Sequence, residues 1–384
     1  MSLSLGIGPS LTRPTGGGGR AAYLGPVSGG KINTTGYASA DFAYSQARRV
    51  FYARDTIINP QIRLDNWYAN GQTLGAAATH LTSIEYPLGT FTRATMGGAQ
   101  SGVVADGTSV LTDPVPITIP KGALYRVHLN RSCPAGMLVS QPTGQGGVNI
   151  ALGERAEYSA SPLPDRTMGL NGAYPSGDAL GYNTSGILGL TTQETIGILG
   201  NSIGSGAQDA YGSSNDFGLI APSVGGDLGY INVSVSGAST NDLLAAGAIS
   251  RNLAALQSCT YIVLELSINN LRAGQSVAQL QTGLNNLAAQ FPGKRIYLTT
   301  TTPNQQGDFT PAMIANLHAL NAWKRTVPAP FFGTFEFADA MMTARDSNVW
   351  KTGYSTDLLH PIAVGYAAAK ASGVIVPSHD FVRY

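Results

Sequence analysis

Ile196-Gly-Ile-Leu-Gly200-Asn201-Ser202-Ile203-Gly204 decides how the second half of this chain is read. A short apolar run leads straight into a glycine-flanked turn, the pattern of a buried strand whose end lifts a serine hydroxyl to the edge of a sheet. Near the C-terminus stands Asp357-Leu358-Leu359-His360-Pro361. An Asp-x-x-His can supply a base for that hydroxyl and a carboxylate to orient the base. Together the two segments hold the inventory for acyl transfer to serine.

Outward from Ser202, the chain after residue 193 alternates apolar runs with helical patterns. Strands are expected at 195–199, 230–236, 260–266, 295–301 and 334–338. Several, notably Tyr261-Ile-Val-Leu-Glu-Leu, are apolar on both faces, as in a parallel sheet covered by helices. Val277, Leu280, Leu284, Leu287 and Phe291 form a helical stripe, with Ser276 as N-cap and Pro292-Gly293 as its stop. Thr310-Pro311 opens the next helix. The expected fold is a five-stranded parallel sheet in a three-layer αβα, flavodoxin-like domain over 193–384. In such a sheet ligands sit at the carboxyl ends of strands. Ser202, Gly237, Asn269 and the Asp357/His360 pair all fall at such ends or just before the last helix.

Between about 46 and 165 the period changes to two. Ile62 and Leu64, Ile84 and Tyr86, Ile117 and Ile119, then Tyr125, Val127 and Leu129 each put apolar groups on one face, and Asp106-Gly107 and Lys121-Gly122 mark turns between runs. This predicts an all-β, jelly-roll-like sandwich. Residues 1–45, with Gly16 to Gly19 and Gly25-Pro26-Val27-Ser28-Gly29-Gly30, read as a flexible arm that orders only if something holds it, and 166–192 as a linker against both domains. At 384 residues two domains are expected.

Composition limits the partners. Charged residues make up 12% of the chain, about half the usual share, and 23 basic against 22 acidic side chains leave a formal charge of +1. That balance gives no electrostatic reason to expect nucleic acid or an anionic membrane. No apolar run approaches the roughly 18 residues of a membrane span, and the N-terminus lacks the signature of a signal peptide. The location stays open: the cytoplasm, the exterior or a virion after lysis or another route, or export on a signal that this sequence omits. Cys133 and Cys259 stand far apart without metal-ligand spacing and read as buried thiols. No cofactor or metal is called for.

These residues resemble the SGNH hydrolases, also called GDSL esterases, over about 193–375. The family's Gly-Asp-Ser block is Gly200-Asn201-Ser202 here, and its glycine block is Ser236-Gly237-Ala238-Ser239-Thr240. Its Gly-x-Asn-Asp block is Ser267-Ile268-Asn269-Asn270, and its Asp-x-x-His block is intact. The resemblance implies Ser202 as nucleophile, His360 as general base, Asp357 as its orienting acid, and an oxyanion hole from the N–H groups of Ser202 and Gly237 and the amide of Asn269. Asn201, Ser267 and Asn270 depart from the pattern at positions that neither attack nor take a proton. Thr112-Asp113-Pro114-Val115-Pro116-Ile117-Thr118-Ile119-Pro120 looks like the β-domain that precedes the hydrolase domain in some bacterial GDSL-type esterases, where it would bind glycan, wall the cleft or mediate assembly.

Each signal also has a plainer reading. The serine turn alone is compatible with a tight strand-to-helix connection, Asp357 with a helix cap, Asn269 with a loop bond and Gly237 with a positive φ. Their conjunction in chain order points to a serine esterase, with O-acetylated polysaccharide or a small ester as substrate. The alternative is a glycan-binding or phage structural protein that keeps the fold with little activity, its arm docked to an assembly partner. Trp67, Tyr68 and Tyr125 read as a sugar-stacking surface or as core. His80 and His128 are expected at the surface or core edge, His318 in a helix and His379 in the tail. Asp339 is a rival acid or a cap. Tyr211, Phe217 and Tyr230 are expected as the large contacts of a cleft rim formed by 205–229.

Overall fold

The computed structural model describes residues 21–31, 35–38, 43–73, 75–133, 138–141, 148–170, 172–175, 184–210 and 215–381. Most of the expected arm, residues 1–20 included, and Tyr211 lie outside them.

The C-terminal half is built on a parallel sheet. Its strands Tyr230–Asn232, Ile196–Gly200, Tyr261–Glu265, Arg295–Thr299 and Gly333–Phe335 lie side by side in that order. Numbered along the chain from residue 196 this is 2-1-3-4-5, the flavodoxin-like order, whose switch point falls beside the first strand. Alternation along the strands feeds both faces. Ile196, Ile198 and Val263 join one apolar cluster with Ala221, Leu317, Phe337 and Tyr366. Leu199, Ile262 and Leu264 join the other with Leu243, Leu256, Leu284 and Leu287. Both faces are thus covered by helices. Helix Val277–Ala289 begins with a capping box between Ser276 and Gln279, and Pro311–Arg325 begins at Thr310, whose side chain accepts from the Met313 N–H.

The N-terminal half is β-rich. One antiparallel sheet runs Tyr23–Pro26, Gly186–Thr191, Gln61–Asp65, Ser109–Leu111. The other runs Arg155–Ser159, Tyr44–Tyr52, Leu124–Ser132, Ala78–Glu85, Phe91–Ala94, with Ser101–Val104 also on Ala78–Glu85. Ile62, Leu64 and Ile187 from the first meet Phe51, Ile84, Tyr125 and Val127 from the second in one core. Gly107 and Gly122 sit at φ 68° and 83°, as their turns require. Trp67, Tyr68 and Tyr125 are all buried, so they are core and offer no stacking surface. Trp67 belongs to the core of the parallel-sheet half, which makes it a bolt between the two halves. His80 and His128 are buried too, against expectation, and His128 Nε2 lies 2.9 Å from Glu85 Oε2. Both thiols are buried, and burial pushes that of Cys259 up to about 12.

Two segments depart from their composition. The stretch expected as an arm supplies three strands among its described residues: Tyr23–Pro26 pairs antiparallel with Gly186–Thr191, Gly29–Lys31 pairs parallel with Tyr230–Asn232, and Thr35–Ala38 pairs antiparallel with Leu138–Gln141. Among the described residues the parallel sheet therefore has six strands, five from the region expected and a sixth from the N-terminal stretch. The stretch expected as a linker contributes the strand Gly186–Thr191. Glycine serves close approach here. A Cβ on Gly30 would stand 2.0 Å from the Ser185 carbonyl oxygen, and one on Gly229 1.9 Å from that of Pro26. Main chain meets main chain at this seam, and no side chain fits between.

Polar contacts close the seam beside it. Arg54 reaches Asp216 at 2.9 Å with both side chains buried, and the Tyr230 hydroxyl donates to the same carboxylate at 2.7 Å. Asn215 donates to Glu154 at 2.9 Å. The segment 215–218 is thereby sewn to the β-rich half. Phe217 and Tyr230, expected on a cleft rim, are instead buried.

Gly30→Ala should lower stability by about 1–3 kcal/mol through overpacking, because the obstacle is a backbone carbonyl. Gly226→Ala, where nothing lies within 4 Å of the new Cβ, should stay within about 0.5 kcal/mol of the parent. Thermal unfolding of both variants reads the difference.

Candidate active site

Ser202 stands just beyond the strand Ile196–Gly200, at the first position of a one-turn helix, Ser202–Ser205. Asn201 caps that turn, its Oδ1 accepting from the Ile203 N–H at 2.8 Å. The flanking glycines are needed for space. A Cβ on Gly200 would stand 2.9 Å from the Glu265 carbonyl oxygen, and one on Gly204 2.7 Å from Ser234 Oγ.

Beneath the turn lies a carboxylate that the sequence reading passed over. Glu265 Oε2 accepts the N–H groups of Gly204 at 2.9 Å and Asn201 at 3.2 Å, bracketing the serine from below. It is buried, and burial drives its carboxyl well above the usual range, against the backbone bonds and the charge of Lys324. Lys324 is itself wholly buried and donates to Leu266 O, Ser267 Oγ and Thr301 Oγ1 at 3.0–3.1 Å. A single acidic residue inside the otherwise apolar run Tyr261–Leu266 was the available signal.

The acid and base come from a loop pinched shut by the Ser355↔Pro361 bridge. Asp357 Oδ1 accepts the N–H groups of Leu359 at 2.9 Å and His360 at 2.7 Å, while Leu358 between them adopts φ 66°. Asp357 Oδ2 lies 2.6 Å from His360 Nδ1, and His360 Nε2 lies 2.9 Å from Ser202 Oγ. A carboxylate only accepts, so Nδ1 carries the proton and Nε2 is left to accept from the serine hydroxyl. Gln208 adds a bond nothing in the sequence announced, donating to Asp357 Oδ2 at 2.7 Å.

Of the other expected residues, Gly237 sits at φ 80° with nothing within 4 Å of a Cβ, so it is glycine for its backbone angle. Among the described residues no acceptor takes the N–H of Ser202 or of Gly237. Asn269 Nδ2 donates to Ala238 O at 3.0 Å, tying it to the Gly237 turn. Asn270, buried, bridges Thr240 and Gln275, so an amide does the work where the family has a carboxylate. Ser267 holds φ 126° where the family has glycine, and Lys324 holds its hydroxyl. Asp339 is neither rival nor cap: it pairs with Arg345 and Arg325, and Glu336 caps the helix Phe337–Met341. His379 is exposed beside Asp380. Among the described residues no cluster of His, Cys, Asp and Glu could hold a metal, and no helix is long and apolar enough to cross a membrane.

Glu265→Gln keeps an oxygen for the turn, whereas Glu265→Leu leaves the buried Gly204 N–H without its acceptor, at about 1–3 kcal/mol. Urea denaturation should rank Leu far below Gln. A second expectation concerns pH. Burial pushes the Asp357 carboxyl up, but the His360 ring bond and the N–H groups of His360 and Leu359 outweigh it, leaving it below the usual range. Its contribution to stability is therefore complete above that range and is lost as pH falls through the depressed value. Asp357→Asn should be less stable than the parent at neutral pH and converge with it in acid, read by urea denaturation at both.

The chain matches the family described as GDSL-like lipase/acylhydrolase over residues 198–368. No curated protein matches it. Among solved structures it is similar to a lipase/acylhydrolase from Enterococcus faecalis, at 18% identity over 47% of this chain and 94% of that one, with a TM-score of 0.38. An acetylxylan esterase from Geobacillus stearothermophilus, in a catalytic-mutant form, shares 16% identity over 50% and 97%, with a TM-score of 0.36. A protein described as a GDSL-like lipase from Bacteroides ovatus shares 13% over 86% and 80%, also at 0.36. Residues 198–368, a little under half of the chain, thus match the GDSL-like lipase/acylhydrolase family.

Proposed function

We propose that Ser202 attacks the carbonyl carbon of a carboxylic ester while His360 Nε2 takes its proton, and that Asp357 holds the ring in the required tautomer and balances the imidazolium. The N–H groups of Ser202 and Gly237 and the second N–H of the Asn269 amide receive the oxyanion. Collapse of that intermediate breaks the ester C–O bond, and the alkoxide leaves with the proton from His360. Water, deprotonated by the same ring, then releases the acid and restores Ser202. The observation that carries this is the unbroken line from Asp357 through His360 to Ser202 Oγ, at 2.6 and 2.9 Å.

The preferred substrate is a short acyl group, acetyl above all, on a polysaccharide. Support comes from what surrounds the serine. In the segment 205–229, Phe217, Leu219, Ile220 and Val224 are buried in the core, so the large apolar residues described there offer no greasy wall for a long chain. Only 12% of the chain is charged, and its polar surface rests on Ser, Thr, Asn and Gln, groups suited to sugar hydroxyls.

Ser202→Ala should abolish acetate release from acetylated xylan or capsular polysaccharide, and Asp357→Asn should cut kcat by about 10⁴. A fluorophosphonate probe should label the parent at Ser202. Failure to label it, with the fold intact, would favour a glycan-binding module.

A further inference from the structure

The turn that carries Gly237 opens onto a cleft of about 300 Å³ to which the β-rich half contributes one residue, Asn70. Its floor is apolar and buried, from Val235 and Leu243. Its rim is polar, from Asn70, Ser236 and Asp242. The volume is at the small end for ligand sites, suited to one ring-sized group and too small for a long acyl tail.

Asn70 is held there by its backbone. The Gly71 N–H donates to Tyr68 O and the Tyr68 N–H donates to Gln72 O, which closes the turn. Asn252, on helix Ala246–Leu256, donates to Ala69 O at 3.2 Å, and Arg251 on the same helix binds Gly71 O. Gly71 itself sits at φ 89° with room for a Cβ only 3.1 Å from the Ala248 nitrogen, so the turn lies flat on that helix. Buried Trp67 anchors the approach, its Nε1 donating to Ser109 Oγ at 2.7 Å. The β-rich half thus delivers a side-chain amide to a fixed point beside the catalytic turn.

The two rim groups are complementary in kind. Asn70 Oδ1 accepts from the Gln72 N–H at 3.1 Å, which orients the amide and leaves its NH₂ group to donate. Asp242 Oδ2 is committed to the Ser239 cap, which leaves Oδ1 to accept. A donor and an acceptor over an apolar floor match a sugar ring, with hydroxyls at the edge and C–H groups on the face.

We infer that this cleft is a subsite for the alcohol portion of the ester, binding a single hydroxyl-rich ring, and that Asn70 is its specificity residue. The inference rests on the reading of Ser202 as an esterase nucleophile. A cleft rimmed by an amide and a carboxylate disfavours an alkyl chain, which would bury those groups without partners.

The test compares O-acetylated xylo-oligosaccharide with p-nitrophenyl acetate, whose flat alcohol has no ring hydroxyls. Asn70→Ala should raise KM for the acetylated sugar about tenfold, the worth of one hydrogen bond, with kcat little changed. Asn70→Trp, which fills the cleft, should raise it at least as much. Asn70→Ala should keep the parent kcat/KM on p-nitrophenyl acetate, and both variants the parent Tm. Sugar cleavage unchanged in both variants, or losses shared equally by the two substrates in Asn70→Ala, would overturn the subsite while leaving the esterase standing. A parent that cleaves p-nitrophenyl acetate but no acetylated sugar would overturn the subsite and the carbohydrate reading together. A parent inert on both would sink the esterase as well.

Discussion

A buried carboxyl group, that of Glu265, sits under the turn that presents Ser202. Glu265 takes the N–H groups on either side of the serine, that of Asn201 being shared between its carboxyl and its own backbone carbonyl oxygen. Everything at the site is placed relative to that anchor. Gly200 and Gly204 are small because Glu265 and Ser234 stand against them. Lys324 lies in the same buried layer, reaching from its helix to the end of the Glu265 strand and to Ser267 at the head of the Asn269 block. A buried acid and a buried base joined through backbone thus connect the serine turn to the Asn269 turn. Buried charge is a poor source of net stability but a strict one of geometry, since leaving either group unpaired is costly.

What could be read from the sequence was what depends on period and order. Alternation in Ile62/Leu64 and Tyr125/Val127/Leu129, two-faced apolarity in Tyr261-Ile-Val-Leu, and the helical stripe from Leu280 to Leu287 all follow from one residue's neighbours along the chain. The Ser202, Asp357 and His360 segments were legible because each carries its chemistry in a few adjacent positions. Glu265 was not, because its meaning depends on Asn201 and Gly204, two backbone amides some sixty positions away. Gln208 was hidden for the same reason: its partner Asp357 is on another loop.

The glycine-rich start was the deeper difficulty. Composition cannot separate glycine that frees a chain from glycine that lets two backbones touch, since both come from a missing Cβ. Gly30 is of the second kind while Gly29 makes room for the Tyr230 ring, and the clue was outside the segment, in Gly229 and in Ser185 at the head of a strand that itself looked like linker. The aromatic residues misled in a milder way. Trp67, Tyr68 and Tyr125 have the amphipathic character of a sugar platform, and only packing decides that they face inward.

The strand Gly29–Lys31 leaves the ribosome early, while its partner Tyr230–Asn232 emerges about two hundred residues later. Until then the unpaired N-terminal strand waits on a β-rich half whose own sheet is incomplete, because Gly186–Thr191 is also still to come. Contacts so far apart in sequence form late and slowly. This N-terminal strand is accordingly among the last to find its place, and the two halves mature as one unit instead of in succession.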